Sequence, residues 1–116
     1  MDIYNAWFDL KPGVSDVEFA DRLKTYMESL KNDGLMQGWR LTRRKLGLSA
    51  APVGEFHLMM EFSHLAQLDS AFNRVGSRRE PIEGVHFGVN SQVQNVQFAL
   101  YRDFPDSIRH RGDEKF

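Results

Sequence analysis

Two rhythms of apolar residues alternate along this chain. The opening stretch has period two: Tyr4, Ala6, Phe8 and Leu10 fall on one side of an extended backbone, and Ile3, Asn5, Trp7 and Asp9 on the other. That alternation, rich in aromatics, predicts a strand over 3–10. Lys11-Pro12-Gly13 reads as a turn, and the spacing then changes to three and four. Val17, Ala20, Leu23, Met27 and Leu30, widened by Phe19 and Tyr26, form one stripe of a helix. Ser15 with Glu18 three residues on makes a capping box, and Asp16 adds negative charge at the positive end of the helix dipole. Asn32-Asp33-Gly34 ends the helix, with Gly34 as its left-handed cap.

The second half repeats the pattern. Strand two is expected at about 36–45. A link from Gly47 to Gly54, too long for a tight hairpin and with a tip free to move, leads to strand three over 55–62. There Phe56, Leu58, Met60 and Phe62 share one face, and Glu55, His57, Met59 and Glu61 the other. Ser63 is the expected cap of a second helix with the stripe Leu65, Leu68, Phe72 and Val75, closed by Gly76. Pro81 suits the first turn of a short helix anchored by Ile82, Val85 and Phe87, although Gly84 and Gly88 weaken it. A fourth strand follows at 93–102. Beyond Phe104 the chain turns polar and charged, so a domain over 1–104 and a polar C-terminal tail over 105–116 are expected.

Strand, helix, strand, strand, helix, strand predicts an α+β fold of ferredoxin-like βαββαβ order. Its four-stranded antiparallel sheet carries both helices on one face. The helices are expected to cover Tyr4, Phe8, Phe56, Leu58, Met60, Val96, Phe98 and Leu100. The opposite face keeps Ile3, Trp7, Met59, Ala99 and Tyr101 among polar groups, an apolar patch that predicts a partner. Burying ~800 Å² of apolar area in a dimer yields ~20 kcal/mol gross, against an association cost of ~4–15 kcal/mol.

Bulk properties narrow the classes. The 116 residues fit one domain, with 41% hydrophobic and 27% charged residues, as expected of a globular protein. A net charge of −1 gives no global field toward nucleic acid or an anionic membrane. With no cysteine there is no disulfide, thiol nucleophile or thiolate metal site. No secretory signal and no apolar run of membrane-spanning length is visible, so the expected compartment is the cytoplasm. His57, His64, His86 and His110 show no i, i+4 pairing, and neither a nucleotide-phosphate loop nor a nucleophile elbow occurs.

Phe8-Asp9-Leu10-Lys11-Pro12-Gly13, the Glu61-Phe62 end of strand three and Tyr101-Arg102-Asp103-Phe104 closing strand four carry a family likeness. Over about residues 2–104 the chain resembles the dimeric α+β barrel superfamily. This ferredoxin-like group includes stress-responsive barrel proteins and antibiotic-biosynthesis-monooxygenase-like and cyclase enzymes that need no cofactor. It is also similar to uncharacterised families within that group. The resemblance implies a dimeric α/β barrel, a homodimer without metal or redox cofactor, and leaves activity open, because this fold hosts many chemistries.

Two constellations are candidates. By the likeness to cyclases, His86 lies in the segment facing a pocket between sheet and helices, Tyr4 stands where those relatives place a second histidine, and Tyr26 completes the wall. A neutral imidazole beside a phenol can serve as base and acid on an enolisable substrate. The plain alternative is a packed aromatic core with a surface histidine. The second set is Asn5, Trp7, Arg40, His57, Glu61, Gln97 and Tyr101, expected on the other sheet face. It reads first as a dimer interface and second as a ligand site, since monooxygenase relatives use asparagine, tryptophan and histidine. The register of strand two leaves the direction of Arg40 open.

An RNA-binding module is the rival with the same strand order, and Arg40, Arg43, Arg44, Lys45 and Arg78-Arg79 supply basic charge. Strand three, however, lacks the basic residue and open-face aromatics of such modules, and Glu55 and Glu61 would repel phosphate. The reading of the sequence is therefore a homodimeric barrel protein that binds a small, partly apolar molecule, with no nucleic-acid or membrane partner. A cofactor-independent monooxygenase or cyclase is the enzymatic alternative.

Overall fold

The computed structural model describes residues 1–47, 52–106, 108 and 110–112. Its elements are β1 (Asp2–Leu10), α1 (Asp16–Asn32), β2 (Gly38–Arg43), β3 (Phe56–Phe62), α2 (Leu65–Gly76), α3 (Ile82–Asn90) and β4 (Val93–Arg102). The sheet is antiparallel throughout in the order β2-β3-β1-β4, so the fold is the ferredoxin-like α+β arrangement with a third, short helix added. The tip of the link between β2 and β3 (48–51) and part of the expected tail (107, 109 and 113–116) lie outside the described residues.

Local chemistry accounts for the helix ends. Ser15 Oγ accepts from Glu18 N–H at 3.4 Å, with Asp16 and Glu18 in the first turn of α1 and Lys31 in its last. Gly34 takes φ +74° just past the helix, a conformation that penalises any Cβ. At α2 the cap differs from expectation by one residue. His64 rather than Ser63 supplies the acceptor, its Nδ1 taking the Gln67 N–H at 3.1 Å, while Gln67 Oε1 turns back to accept from Ser63 N–H at 2.7 Å. The arrangement differs from a capping box by one residue, since Gln67 reaches past the cap to the N–H of Ser63 before it.

The core lies between the central strands and the helices. Phe19, Leu23, Met27, Phe62 and Ile82 are fully buried, each worth roughly 1.5–3 kcal/mol of transfer free energy. Phe19 packs against Phe8 and Phe56 at centroid distances of 5.5 and 6.2 Å. Trp39 ties β2 to α1 by donating from Nε1 to Glu28 Oε1 at 3.1 Å. Val17, expected in the α1 stripe, points outward at 68% exposure. It sits in the first turn, where Phe19 already supplies the inward contact.

Two expectations about the sheet need correction. Val96, Phe98 and Leu100 are on the helix side of β4 but are not covered: they are 36%, 59% and 48% exposed. The cause is position, since β4 is an edge strand and the core is centred on β1 and β3. Conversely, Ile3, Trp7, Met59 and Ala99 on the opposite face are already half-buried by their neighbours, and of the five apolar residues expected there Tyr101 alone is exposed, at 61%. The exposed apolar surface thus runs along both sides of β4.

Candidate functional site

Strand β1 divides the candidate residues between the two faces of the sheet. Its register against β3 and β4 pairs Tyr4 with Met60 and Leu100, and Asn5 with Met59 and Ala99, so consecutive residues open onto opposite sides.

On the helix side, Tyr4, Tyr26 and His86 line one cavity of about 450 Å³. Tyr4 comes from β1, Tyr26 from the inner face of α1 and His86 from α3, so three separate elements bring these polar groups to one space. The rest of the lining is mainly aliphatic and aromatic, including Phe8, Met27 and Phe98. Phe8 and Phe98 wall the cavity without filling it, whereas Phe19 is buried elsewhere in the core. Tyr26 meets His86 edge-on, with ring centroids 5.7 Å apart and planes at 75°. Tyr4 stacks on Phe98 at 5.4 Å and takes the edge of Phe72 at 5.2 Å. Phe72, 47% exposed, and Phe98 stand at the mouth.

The polar groups of the cavity are unspent. Among the described residues, neither phenol and neither nitrogen of His86 has a hydrogen-bond partner, and His86 Nδ1 is shielded from water. Burial pushes the Tyr26 phenol up to about 12 and raises Tyr4 as well, so both remain protonated donors near neutrality. Burial also lowers the pKa of His86; Glu83, one turn earlier on α3, opposes this and Arg78 adds to it. Glu83 Oε1 accepts from Arg78 Nη1 at 3.3 Å, while its Oε2 is buried without a partner. At neutral pH the imidazole is therefore uncharged, offering one N–H donor and one lone pair.

On the open face, Asn5, Trp7 and His57 form a compact cluster. Trp7 and His57 are direct cross-strand partners and stack at 4.5 Å with planes 11° apart. Asn5 is buried and donates through Nδ2 to the carbonyls of Ile3 (3.1 Å) and Ala99 (3.3 Å). Those two bonds orient its amide, so Oδ1 is the atom 2.8 Å from His57 Nε2. The network assigns the proton of neutral His57 to Nε2 and leaves Nδ1 as an acceptor. Burial lowers the pKa of His57, which favours this neutral form.

Arg40, Glu61, Gln97 and Tyr101 surround the cluster. Arg40 pairs with Met59 and so lies on this same face; Glu61 pairs with Ile3 and Gly38, Gln97 with Trp7, and Tyr101 with Ile3. All four are exposed, and among the described residues none hydrogen-bonds to the central three through its side chain. The sequence reading missed Phe72 and Asn90 as cavity residues. By spacing Phe72 belongs to the α2 core stripe, whereas Asn90 lies four residues after His86 and shares its helix face. Among the described residues, no group of three or more His, Cys, Asp or Glu side chains is placed to hold a metal ion.

The chain belongs to a family of unknown function, DUF6614, whose sequence pattern matches residues 1–116. No curated protein matches it by sequence. Solved structures are similar in fold. The Arabidopsis thaliana protein At3g17210 shares 10% identity at a TM-score of 0.70, over 89% of this chain and 95% of that one. SnoaB, a cofactor-independent oxygenase from Streptomyces nogalater, shares 6% identity at 0.67, over 93% and 97%. A dimeric protein of unknown function with a ferredoxin-like fold from Bacteroides fragilis shares 9% identity at 0.55, over 88% and 95%. At these identities the likeness shows the fold alone.

Proposed function

We propose that this chain is a cytoplasmic, homodimeric α/β barrel protein that binds a small, partly apolar molecule between its sheet and its helices. One observation carries the ligand reading. A cavity of about 450 Å³ gathers Tyr4, Tyr26 and His86 with their hydrogen-bonding capacity unspent. Small-molecule sites typically measure ~300–1,000 Å³, are mostly apolar and carry a few convergent polar groups. An unpaired buried polar atom such as His86 Nδ1 costs free energy, so a site that keeps it is suited to a ligand that completes it. Crystals grown with cell extract test the reading. Density in contact with His86 is expected; a cavity closed by its own side chains in every crystal form would overturn it.

The dimer is supported by the similar fold of the protein described as dimeric and by Tyr101, the exposed apolar side chain that β4 presents on the open face. Closing two open faces together would cover His57 above the already buried Asn5, with their mutual hydrogen bond already made, and would place Arg40, Glu61, Gln97 and Tyr101 around the contact. Light scattering at micromolar protein is the test: a mass of two chains is expected, and a mass of one would refute it. The His86–Tyr26 contact favours a second reading, in which the bound molecule is transformed without a cofactor. In that case neutral His86 accepts a proton and the Tyr26 phenol supplies one. His86→Ala would then abolish turnover while ligand still binds.

A further inference from the structure

We infer that the cavity selects an uncharged molecule carrying a hydroxyl group and rejects the carboxylate of the same shape. The inference deepens the ligand reading above and rests on it. The lining includes no Asp, Glu, Lys or Arg, so a bound anion would give up its hydration with no countercharge to replace it, a large penalty in a partly dehydrated site. Of the two charges that act on His86, Glu83 and Arg78, the first has the wrong sign. Glu83 lies one turn before His86 on the same helix, and its buried Oε2 has no partner. Arg78, the cation nearby, is already engaged with the other oxygen of Glu83.

The groups that do line the cavity suit a neutral hydroxyl. Tyr4 and Tyr26 each bring an O–H that can donate or accept, and His86 brings one donor and one acceptor nitrogen. A hydroxyl placed among them can donate to the imidazole lone pair and accept from a phenol, so that both sides of each contact are satisfied. A hydrocarbon of the same size would fill the apolar walls but offer the imidazole and both phenols no hydrogen-bond partner. The aromatic mouth formed by Tyr4, Phe72 and Phe98 is suited to a flat apolar portion.

Calorimetry of the full chain at pH 7.5 with para-propylphenol, para-propylbenzoate and propylbenzene tests this. The phenol is expected to bind about tenfold or more tighter than either of the others, the equivalent of one satisfied hydrogen bond or one avoided desolvation. His86→Leu is expected to erase the preference of phenol over hydrocarbon while hydrocarbon binding persists. Tyr26→Phe, which keeps the packing, is expected to narrow it if the leucine variant does not fold. Benzoate binding as tightly as phenol overturns the inference and leaves the ligand reading standing, as does equal binding of phenol and hydrocarbon. Binding of none of the three overturns both.

Discussion

Asn5→Ala probes the open-face cluster most directly. Asn5 is buried in the middle strand pair and makes three hydrogen bonds: two donated to the Ile3 and Ala99 carbonyls, and one accepted from His57 Nε2. Each is worth about 1 kcal/mol net, and an imidazole N–H left partly buried without an acceptor costs about 1 kcal/mol more unless the ring changes tautomer. The expected loss is about 2–4 kcal/mol, which for a domain of this size lowers Tm by about 8–15 °C. Asn5→Asp separates the contributions. The carboxylate still accepts from His57, but it loses both donated bonds and faces two carbonyl oxygens. It also favours the imidazolium, so His57 should titrate above its ordinary value near 6.5, whereas burial holds it below that value in the parent. Thermal unfolding followed by circular dichroism reads the first effect, and the imidazole proton shift in NMR reads the second. A Tm for Asn5→Ala within about 2 °C of the parent would show that the three bonds are not net stabilising. An unchanged His57 titration in Asn5→Asp would refute the assigned contact.

Three further outcomes are expected. Burial depresses the folded-state pKa of both His57 and His86, so below pH 6.5 the unfolded chain binds more protons than the folded one. Stability should therefore be full above that pH and fall as pH drops through the folded values, as urea midpoints across pH 5–8 would show; a flat profile contradicts it. Gly54→Ala would place a Cβ 2.5–2.6 Å from the backbone of Phe8, and because backbone cannot yield as a side-chain tip can, a loss of about 1–3 kcal/mol in chemical denaturation is expected. Tyr101→Glu introduces charge at a 61% exposed position on the proposed contact face. It should shift the light-scattering mass toward one chain while leaving the monomer fold intact, and an unchanged dimer would move the contact elsewhere.

The strand order and the faces of β1 and β3 were legible because one of their sides is buried. Alternation is strict where a sheet face meets a core, and Tyr4, Phe8, Phe56 and Leu58 show that period without interruption. The direction of Arg40 was not legible. Its strand carries both Trp39, tied to α1, and Arg43, paired with Asp16 and Glu55, on the covered side. A charged residue and an aromatic on one face blur a binary pattern, and only pairing with Met59 resolves it. The exposure of Val96, Phe98 and Leu100 was illegible for a related reason. Period two reports which residues share a face of β4, but how far the helices extend across the sheet depends on helix packing, which leaves no local mark on the strand.

Strand β1 also explains why the two candidate sites cannot vary independently. Tyr4 belongs to the cavity and Asn5 to the open face, and a slip of one residue in the pairing would exchange them. What prevents the slip is visible at both ends of the strand. Near its start, buried Asp2 accepts from Arg102 Nε at 2.7 Å across the β1–β4 pair. Near its end, Asp9 takes the Glu55 N–H at 2.9 Å and the Asn95 amide at 3.2 Å, where β4 bulges and Asn95 adopts φ +56°. Asp2 and Asp9 thus hold the register of β1, and with it the side of the sheet on which each chemistry-bearing residue stands. Losing either anchor should disturb the cavity and the open-face cluster together, although neither Asp2 nor Asp9 lines the cavity.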